Sequence, residues 1–413
     1  MNTLLRELIQ HIFAWIHPHT VLRYKSLNKH IASLLSTRHF AALNLSRFGS
    51  KDVHVSYLGQ FDFTETPLSN RDSSEILHWL WLFTWPEEYQ LAFADGCWNG
   101  LETLTLWNYS QSLPLLSSDR SRWPPKPIPS AIGSLQSLTR LQLHGVRFSG
   151  SIPSSIGLLD KLQHLDLSRN ELDGPIPPEL FNCHTLQDLN LSENKLSGRI
   201  PFEITSCVSL KSLNLSGNKL GGRIPASLRQ LVDLEVLNLA ENAFSGPVAE
   251  ELGNLVNLTT LNLSSNNLGG TIPTSLGSLS LLRMLDLGGN CLFGEIPAEL
   301  GNLTNLDTLS LFDNNLSGAI PPQLGDLGNV KVLNLVNNCL SGMVPVELGR
   351  LGRVTVLAVS HNRLIGLIPR ELAVLPRLQE MYLNDNQFLM TDIPEELLVM
   401  QDYASPFVFH GHR

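Results

Sequence analysis

From residue 138 onward the chain repeats itself every 24 residues, and a fold that honours such a period must stack one unit on the next. One copy, starting at Leu306, reads LDTLSLFDNNLSGAIPPQLGDLGN. Asparagines recur at Asn170, Asn194, Asn218, Asn242, Asn266, Asn290, Asn314, Asn338, Asn362 and Asn386, and Val146 stands where the preceding one is due. Eight, five and three residues before each asparagine stands an aliphatic residue, nearly always leucine, as with Leu162, Leu165 and Leu167 before Asn170. Glycine follows four residues after the register point from Gly150 to Gly366 without a gap. Proline follows seven after it from Pro153 to Pro369, with Ala249 the exception.

Each position has a physical reading. The segment x-L-x-L is a short strand whose leucines point inward and whose intervening residues point out. Copies spaced at about 4.8 Å form one parallel sheet along a stack of coils. The asparagine turns the chain out of the strand, and its buried amide needs partners among the backbone groups of its own and the neighbouring turn. Leucine or phenylalanine two residues on, from Phe148 to Phe388, fills the next core layer. The glycine takes a backbone conformation closed to other residues, and the Ile-Pro pair sets an extended segment on the far side with no unpaired donor.

This pattern is similar to the plant-type leucine-rich repeat, LxxLxLxxNxLxGxIPxxLGxLxxL, over residues 130–400 with about 11 repeats. The resemblance implies an α/β solenoid with a parallel concave sheet, used to bind other proteins. Residues 101–106, LETLTL, read as one earlier strand of the same kind. Six of the seven tryptophans (Trp79, Trp81, Trp85, Trp98, Trp107, Trp123) fall in or beside the region 49–129, where they are expected to cap the open apolar end of the array. Residues 401–413 form a tail.

Residues 8–22, LIQHIFAWIHPHTVL, raise the question of a secretory leader. Gln10 and His11 interrupt the apolar run, and no small-residue cleavage site follows His17-Pro18-His19. The apolar residues fall instead at Leu5, Leu8, Ile9, Ile12, Phe13 and Ile16, one face of a helix that Pro18 stops. A second apolar series (Val21, Leu22, Leu27, Ile31, Leu34, Leu35) completes a helical unit over residues 1–48. Residues 4–45 resemble an F-box, with matches at Leu4, Glu7, Leu8, Ile12, Phe13, Leu22, Arg23, Leu27, Lys29, Phe40 and Leu45. The usual proline is Leu5 here, and the usual tryptophan is Ile31. The resemblance implies an all-α module that docks through Leu4, Leu8, Ile12, Phe13, Leu22 and Leu27 onto the Skp-type adaptor of a cullin–RING ubiquitin ligase. The repeats would then present a protein substrate, and the protein would work in the cytoplasm or nucleus rather than outside the cell.

Composition narrows the classes. The net charge of −9 is spread without the basic stripe of a nucleic-acid binder, although residues 1–48 alone carry six Lys/Arg against one acid. Five cysteines (Cys97, Cys183, Cys207, Cys291, Cys339) are too few for a disulfide-built module, and Cys183 and Cys207, one repeat apart, are expected reduced and packed. No run approaches the roughly 18 apolar residues of a membrane span. The HPH and HGH spacings lack a zinc-type ligand set, so no metal and no cofactor are expected. No nucleophile elbow, P-loop, kinase or zinc-protease motif is present, which makes this a binding protein rather than an enzyme.

The outward strand positions are where a partner would sit. The middle column, from Asp166 through Asn190, Asn214, Asn238, Asn262 and Asp286, repeats one short polar residue and reads as structural. The flanking columns change character, and Arg283, Met284, Phe312, Val332, Val336, Val356, His361 and Tyr382 bring apolar and aromatic side chains to one face, the mark of a protein contact. Eight N-x-[ST] sequons (Asn44, Asn108, Asn190, Asn214, Asn257, Asn262, Asn302, Asn315) are mostly by-products of the repeat. Three functions remain: a ubiquitin-ligase substrate receptor, an extracellular receptor- or inhibitor-like recognition protein, and an intracellular scaffold.

Overall fold

The computed structural model describes residues 90–91, 100–106 and 125–388. The F-box-like residues 4–45, the six clustered tryptophans, Cys97, the sequons at Asn44 and Asn108 and the tail 401–413 lie outside the described residues. The chain divides into two units, Met1–Leu186 and Gln187–Arg413.

In the first unit the strands Thr103–Leu106, Arg140–Leu143 and His164–Asp166 pair in parallel. Leu104 sits opposite Leu141, and Leu141 opposite Leu165, so LETLTL is a strand of the array as its pattern predicts. Each of these leucines is buried, as are Leu143, Leu167 and Phe148.

The second unit stacks three-residue strands from Asp188–Asn190 to Glu380–Tyr382, all parallel and in register. Their central residues run Leu189, Leu213, Leu237, Leu261, Leu285, Leu309, Leu333, Leu357, Met381, and each is buried. A second set of short parallel strands follows the asparagines, as in Lys195–Gly198, Lys219–Gly222 and Ala243–Pro247. Here the register is staggered, Ser197 facing Lys219 and Ser317 facing Cys339. The repeat pattern does not reveal this second ladder, because its residues alternate only once before glycine and proline end it.

After each proline a 3-10 turn of about five residues closes the coil, as in Thr274–Ser278 and Ala298–Asn302. These turns stack so tightly that a Cβ on Gly301 would come within 2.4 Å of the Gln323 carbonyl oxygen. The glycine of the LG pair is therefore fixed by inter-coil contact and not by its dihedral angles. By contrast Gly366, at φ +82°, occupies the left-handed region where only glycine is unstrained.

The ladder asparagines join coil to coil. Asn290 Nδ2 donates to the carbonyls of Leu287 at 3.0 Å, Gly288 at 3.2 Å and, in the preceding coil, Leu263 at 3.0 Å. Its Oδ1 accepts from the Leu268 N–H at 3.0 Å. Asn170 does the same in the first unit, reaching Leu143 O at 2.7 Å and the Phe148 N–H at 3.0 Å, and it also takes the Val146 N–H at 3.1 Å. The residue just before each asparagine is left-handed even when it is not glycine: Glu241, Ser265 and His361 each have φ 53°. That twist aims two successive N–H groups at the next coil, Ser265 N–H to Gly288 O at 2.8 Å and Asn266 N–H to Gly289 O at 3.1 Å.

Two substitutions separate these effects. Gly301→Ala is expected to lower stability by about 1–3 kcal/mol through overpacking, whereas Gly352→Ala, which meets nothing within 4 Å, stays within roughly 0.5 kcal/mol. Asn290→Ala leaves buried carbonyls and an N–H without partners and is expected to cost at least about 2 kcal/mol. Urea unfolding of the three variants checks both expectations.

Candidate protein-binding face

In-register stacking turns sequence positions into columns. On the sheet face of the second unit the first column runs Met284, Thr308, Val332, Val356, Glu380 and the middle one Asp286, Ser310, Asn334, Ala358, Tyr382. Two residues further on stand Gly288, Phe312, Val336, Ser360 and Asn384, outward again because strand side chains alternate. Met284, Phe312, Val332, Val336, Val356 and Tyr382 thus share one face, as their spacing predicts. Met284 is exposed at 38% and the other five are half-buried.

The middle column is structural where it carries Asp or Asn. Asn190, Asn214, Asn262 and Asp286 each accept the backbone N–H two residues on, at 3.0–3.1 Å. Asn190 Oδ1 also takes the Ser192 hydroxyl at 2.7 Å. Ser310 and Ala358, which replace this residue in two later coils, are buried, and Tyr382, which replaces it in a third, is half-buried.

Phe312 does not project freely. Its ring lies across Gly288 of the preceding coil, where a Cβ would meet Cδ1 and Cε1 at 2.2 Å. Gly288 stands where five of the coils carry serine, and the ring fills the space.

Charged residues border the apolar strip on both sides. Arg283 Nη1 lies 3.8 Å from Asp307 Oδ2 and Lys331 Nζ 2.9 Å from Asp307 Oδ1, so one carboxylate serves two exposed cations. On the opposite border Asn337 Nδ2 donates to Asp313 Oδ1 at 2.7 Å, and His361 Nδ1 lies 3.1 Å from Asp385 Oδ2. Arg283 and His361, expected among the contact residues, therefore flank the strip. Asp307, which holds Arg283 and Lys331 in place, has no sequence signal beyond its sign.

Other features lie off this face. Asn257, Asn305 and Asn329 donate to the carbonyls of Val232, Ser280 and Thr304 at 2.9, 2.8 and 2.7 Å, a second amide ladder that the repeat pattern does not expose. An open polar cleft of about 410 Å³, lined by Lys211, Asp233, Glu235, Asn257, Thr259 and Leu281, follows the edge where coils enter the strands. Cys183, Cys207, Cys291 and Cys339 are free thiols, and burial pushes Cys207 up to about 11. Among the described residues no helix is long and apolar enough to cross a membrane.

Comparison with known families decides the repeat type. The family described as Leucine rich repeat matches residues 304–364, and the related Leucine Rich Repeat family matches 161–183, 185–207, 209–231, 257–279 and 281–303. The repeats are leucine-rich repeats. No curated protein matches the chain. Among solved structures, a TDR receptor is 34% identical with a TM-score of 0.58, covering 64% of this chain and 50% of its own. The plant peptide hormone receptor RGFR1 in complex with RGF2 is 33% identical at TM-score 0.51, covering 66% of this chain and 55% of its own. The Arabidopsis receptor kinase HAESA, in complex with the peptide hormone IDA and the co-receptor SERK1, is 29% identical at TM-score 0.57, covering 74% and 56%. The chain spans about half the length of these receptors. The leucine-rich repeat is a protein-recognition fold, and the family matches begin at residue 161, beyond the F-box-like residues 4–45.

Tyr382 offers a spectroscopic handle on the face. Its hydroxyl donates to Glu380 Oε2 at 3.0 Å, and that bond, with a smaller desolvation and the Glu380 charge, raises its pKa above the ordinary tyrosine value. Ionisation is therefore expected at higher pH than for a free tyrosine, and Glu380→Ala should bring it back down. Ultraviolet difference titration of the wild type and Glu380→Ala, each against its Tyr382→Phe counterpart, measures the shift.

Proposed function

We propose that this chain is a non-catalytic recognition protein of the extracellular plant-receptor type, binding a peptide or small protein across the sheet face from Met284 to Tyr382. The observation that carries the reading is the face itself. Six apolar or aromatic side chains line up over consecutive coils, in three of which Ser310, Ala358 and Tyr382 replace the turn-forming Asp or Asn of the middle column, and charged residues from Arg283 to Asp385 border them. A partly apolar centre with a polar rim is the anatomy of a protein contact. Peptide ligands are named for two of the similar receptors, RGFR1 with RGF2 and HAESA with IDA. They support a peptide as the class of partner without identifying it.

The test is selection of binders to the purified full chain from a displayed library of secreted peptides. Val332→Asp with Val356→Asp should weaken the selected binders by roughly 30-fold or more, the size of a hot-spot loss. Val208→Asp with Val232→Asp, exposed but off this face, should leave them unchanged. Binders indifferent to the first pair would sink the proposal.

A second reading keeps the F-box resemblance of residues 4–45, with a Skp-type adaptor as partner and a cytoplasmic or nuclear place of work. It rests on that resemblance alone. Full-length chain should then retain a Skp-type adaptor in a pull-down, and Ile12→Asp with Phe13→Asp should abolish retention. No retention by the folded chain leaves the recognition reading without a ligase role.

A further inference from the structure

The sequons divide by the state of their asparagines in the fold. Asn190, Asn214 and Asn262 are half-buried on the sheet face, and each holds the N–H and the hydroxyl of the serine two residues on. They also stand in a file, Asn190 beside Asn214 and Asn238 beside Asn262, one strand spacing of about 4.8 Å apart. A sugar on one would lie over its neighbours. Asn257 is exposed, but its amide donates to the Val232 carbonyl at 2.9 Å.

Asn302 and Asn315 differ on both counts. Asn302 is the last residue of the 3-10 turn Ala298–Asn302, is exposed, and its side-chain amide makes no hydrogen bond among the described residues. Thr304, which completes its sequon, is exposed as well. Asn315 opens the strand Asn315–Gly318 of the second ladder, is exposed, and its side-chain amide is likewise unengaged among the described residues. Both lie outside the columns that form the sheet face.

We propose that Asn302 and Asn315 are the N-glycan acceptors of the described repeats, an inference that rests on the extracellular reading above. Asn-X-Ser/Thr is the acceptor sequence for a bulky, solubilising glycan at a surface position. In the transfer, Asn Nδ2 forms a bond to the anomeric carbon of an oligosaccharide carried on a polyisoprenyl pyrophosphate. The bond from that carbon to the pyrophosphate oxygen breaks, the lipid pyrophosphate leaves with the electron pair, the nitrogen gives up one proton, and nothing is oxidised or reduced. Transfer acts on the chain as it emerges, so sequence decides where it is attempted. The fold then decides which glycosylated chains survive, and these two positions need no hydrogen bond broken and no neighbour displaced. The sugars would clothe the 3-10 turns and the second ladder and leave the sheet face bare for its partner.

The experiment directs the full chain through the secretory pathway of plant cells with an added leader and maps glycopeptides by mass spectrometry, on secreted and retained chain alike. In the secreted chain most molecules are expected to carry sugar at Asn302 and Asn315 with Asn190, Asn214, Asn257 and Asn262 bare, any sugar on those four being confined to the retained chain. N302Q and N315Q should each remove one glycan's mass, and Thr304→Ala and Ser317→Ala should do the same while keeping the asparagines. Bare Asn302 and Asn315, or sugar on a sheet-face asparagine of the folded secreted chain, would overturn the proposal. Because the leader is supplied, this outcome is independent of the peptide-selection test, so failure of the acceptor sites and failure of the recognition reading are told apart.

Discussion

The buried asparagine amide is the interaction on which the rest of this structure depends. A coil of 24 residues cannot bury its leucines alone, since its core faces are closed only by the coils on either side. Apolar contacts between coils are strong in sum but carry little direction. The amide supplies direction: Asn290 ties the end of its own strand to Leu263 and Leu268 of the coil before it. Made by Asn170 in the first unit and from Asn218 to Asn386 in the second, that bond holds neighbouring coils of each unit in register. The left-handed residue before each asparagine and the tight stacking of the 3-10 turns, glycine against carbonyl, follow from the same close approach.

Register has a functional consequence. Once coils are locked together, residues 24 apart become neighbours, and a slow change of composition along the sequence becomes a spatial pattern across a face. The middle column spends its polarity on the backbone from Asp166 to Asp286 and has little left for a ligand. Beyond that point Tyr382 takes the middle place in the strip, and the Asp307 carboxylate gathers two cations along its border. The Phe312 ring over Gly288 smooths the strip where a projecting side chain would break it.

The same division of labour separates the two sides of a coil. On the sheet face, polar side chains of the sequons are consumed by turns, while beyond the asparagine and along the 3-10 turns Asn315 and Asn302 are exposed, with side-chain amides that bond none of the described residues. Two chemically different faces are thus built from one repeated sequence, differing in which amides the backbone has already claimed.

The sequence by itself determined the stack: the leucine spacing, the ladder asparagines, the early strand at 103–106 and the sharing of one face by Met284, Phe312, Val332, Val336, Val356 and Tyr382 are all read from one period. These are properties of a single repeat, where alternation and turn chemistry are local. Only the tertiary structure decided what happens between repeats. The staggered second ladder, the Asn257, Asn305 and Asn329 bonds, the fit of Phe312 over Gly288 and the placing of Arg283 and His361 on the borders all join residues about one coil apart. Whether such residues touch depends on register and on the closeness of two backbones, quantities set by the sum of all contacts and written in no single repeat.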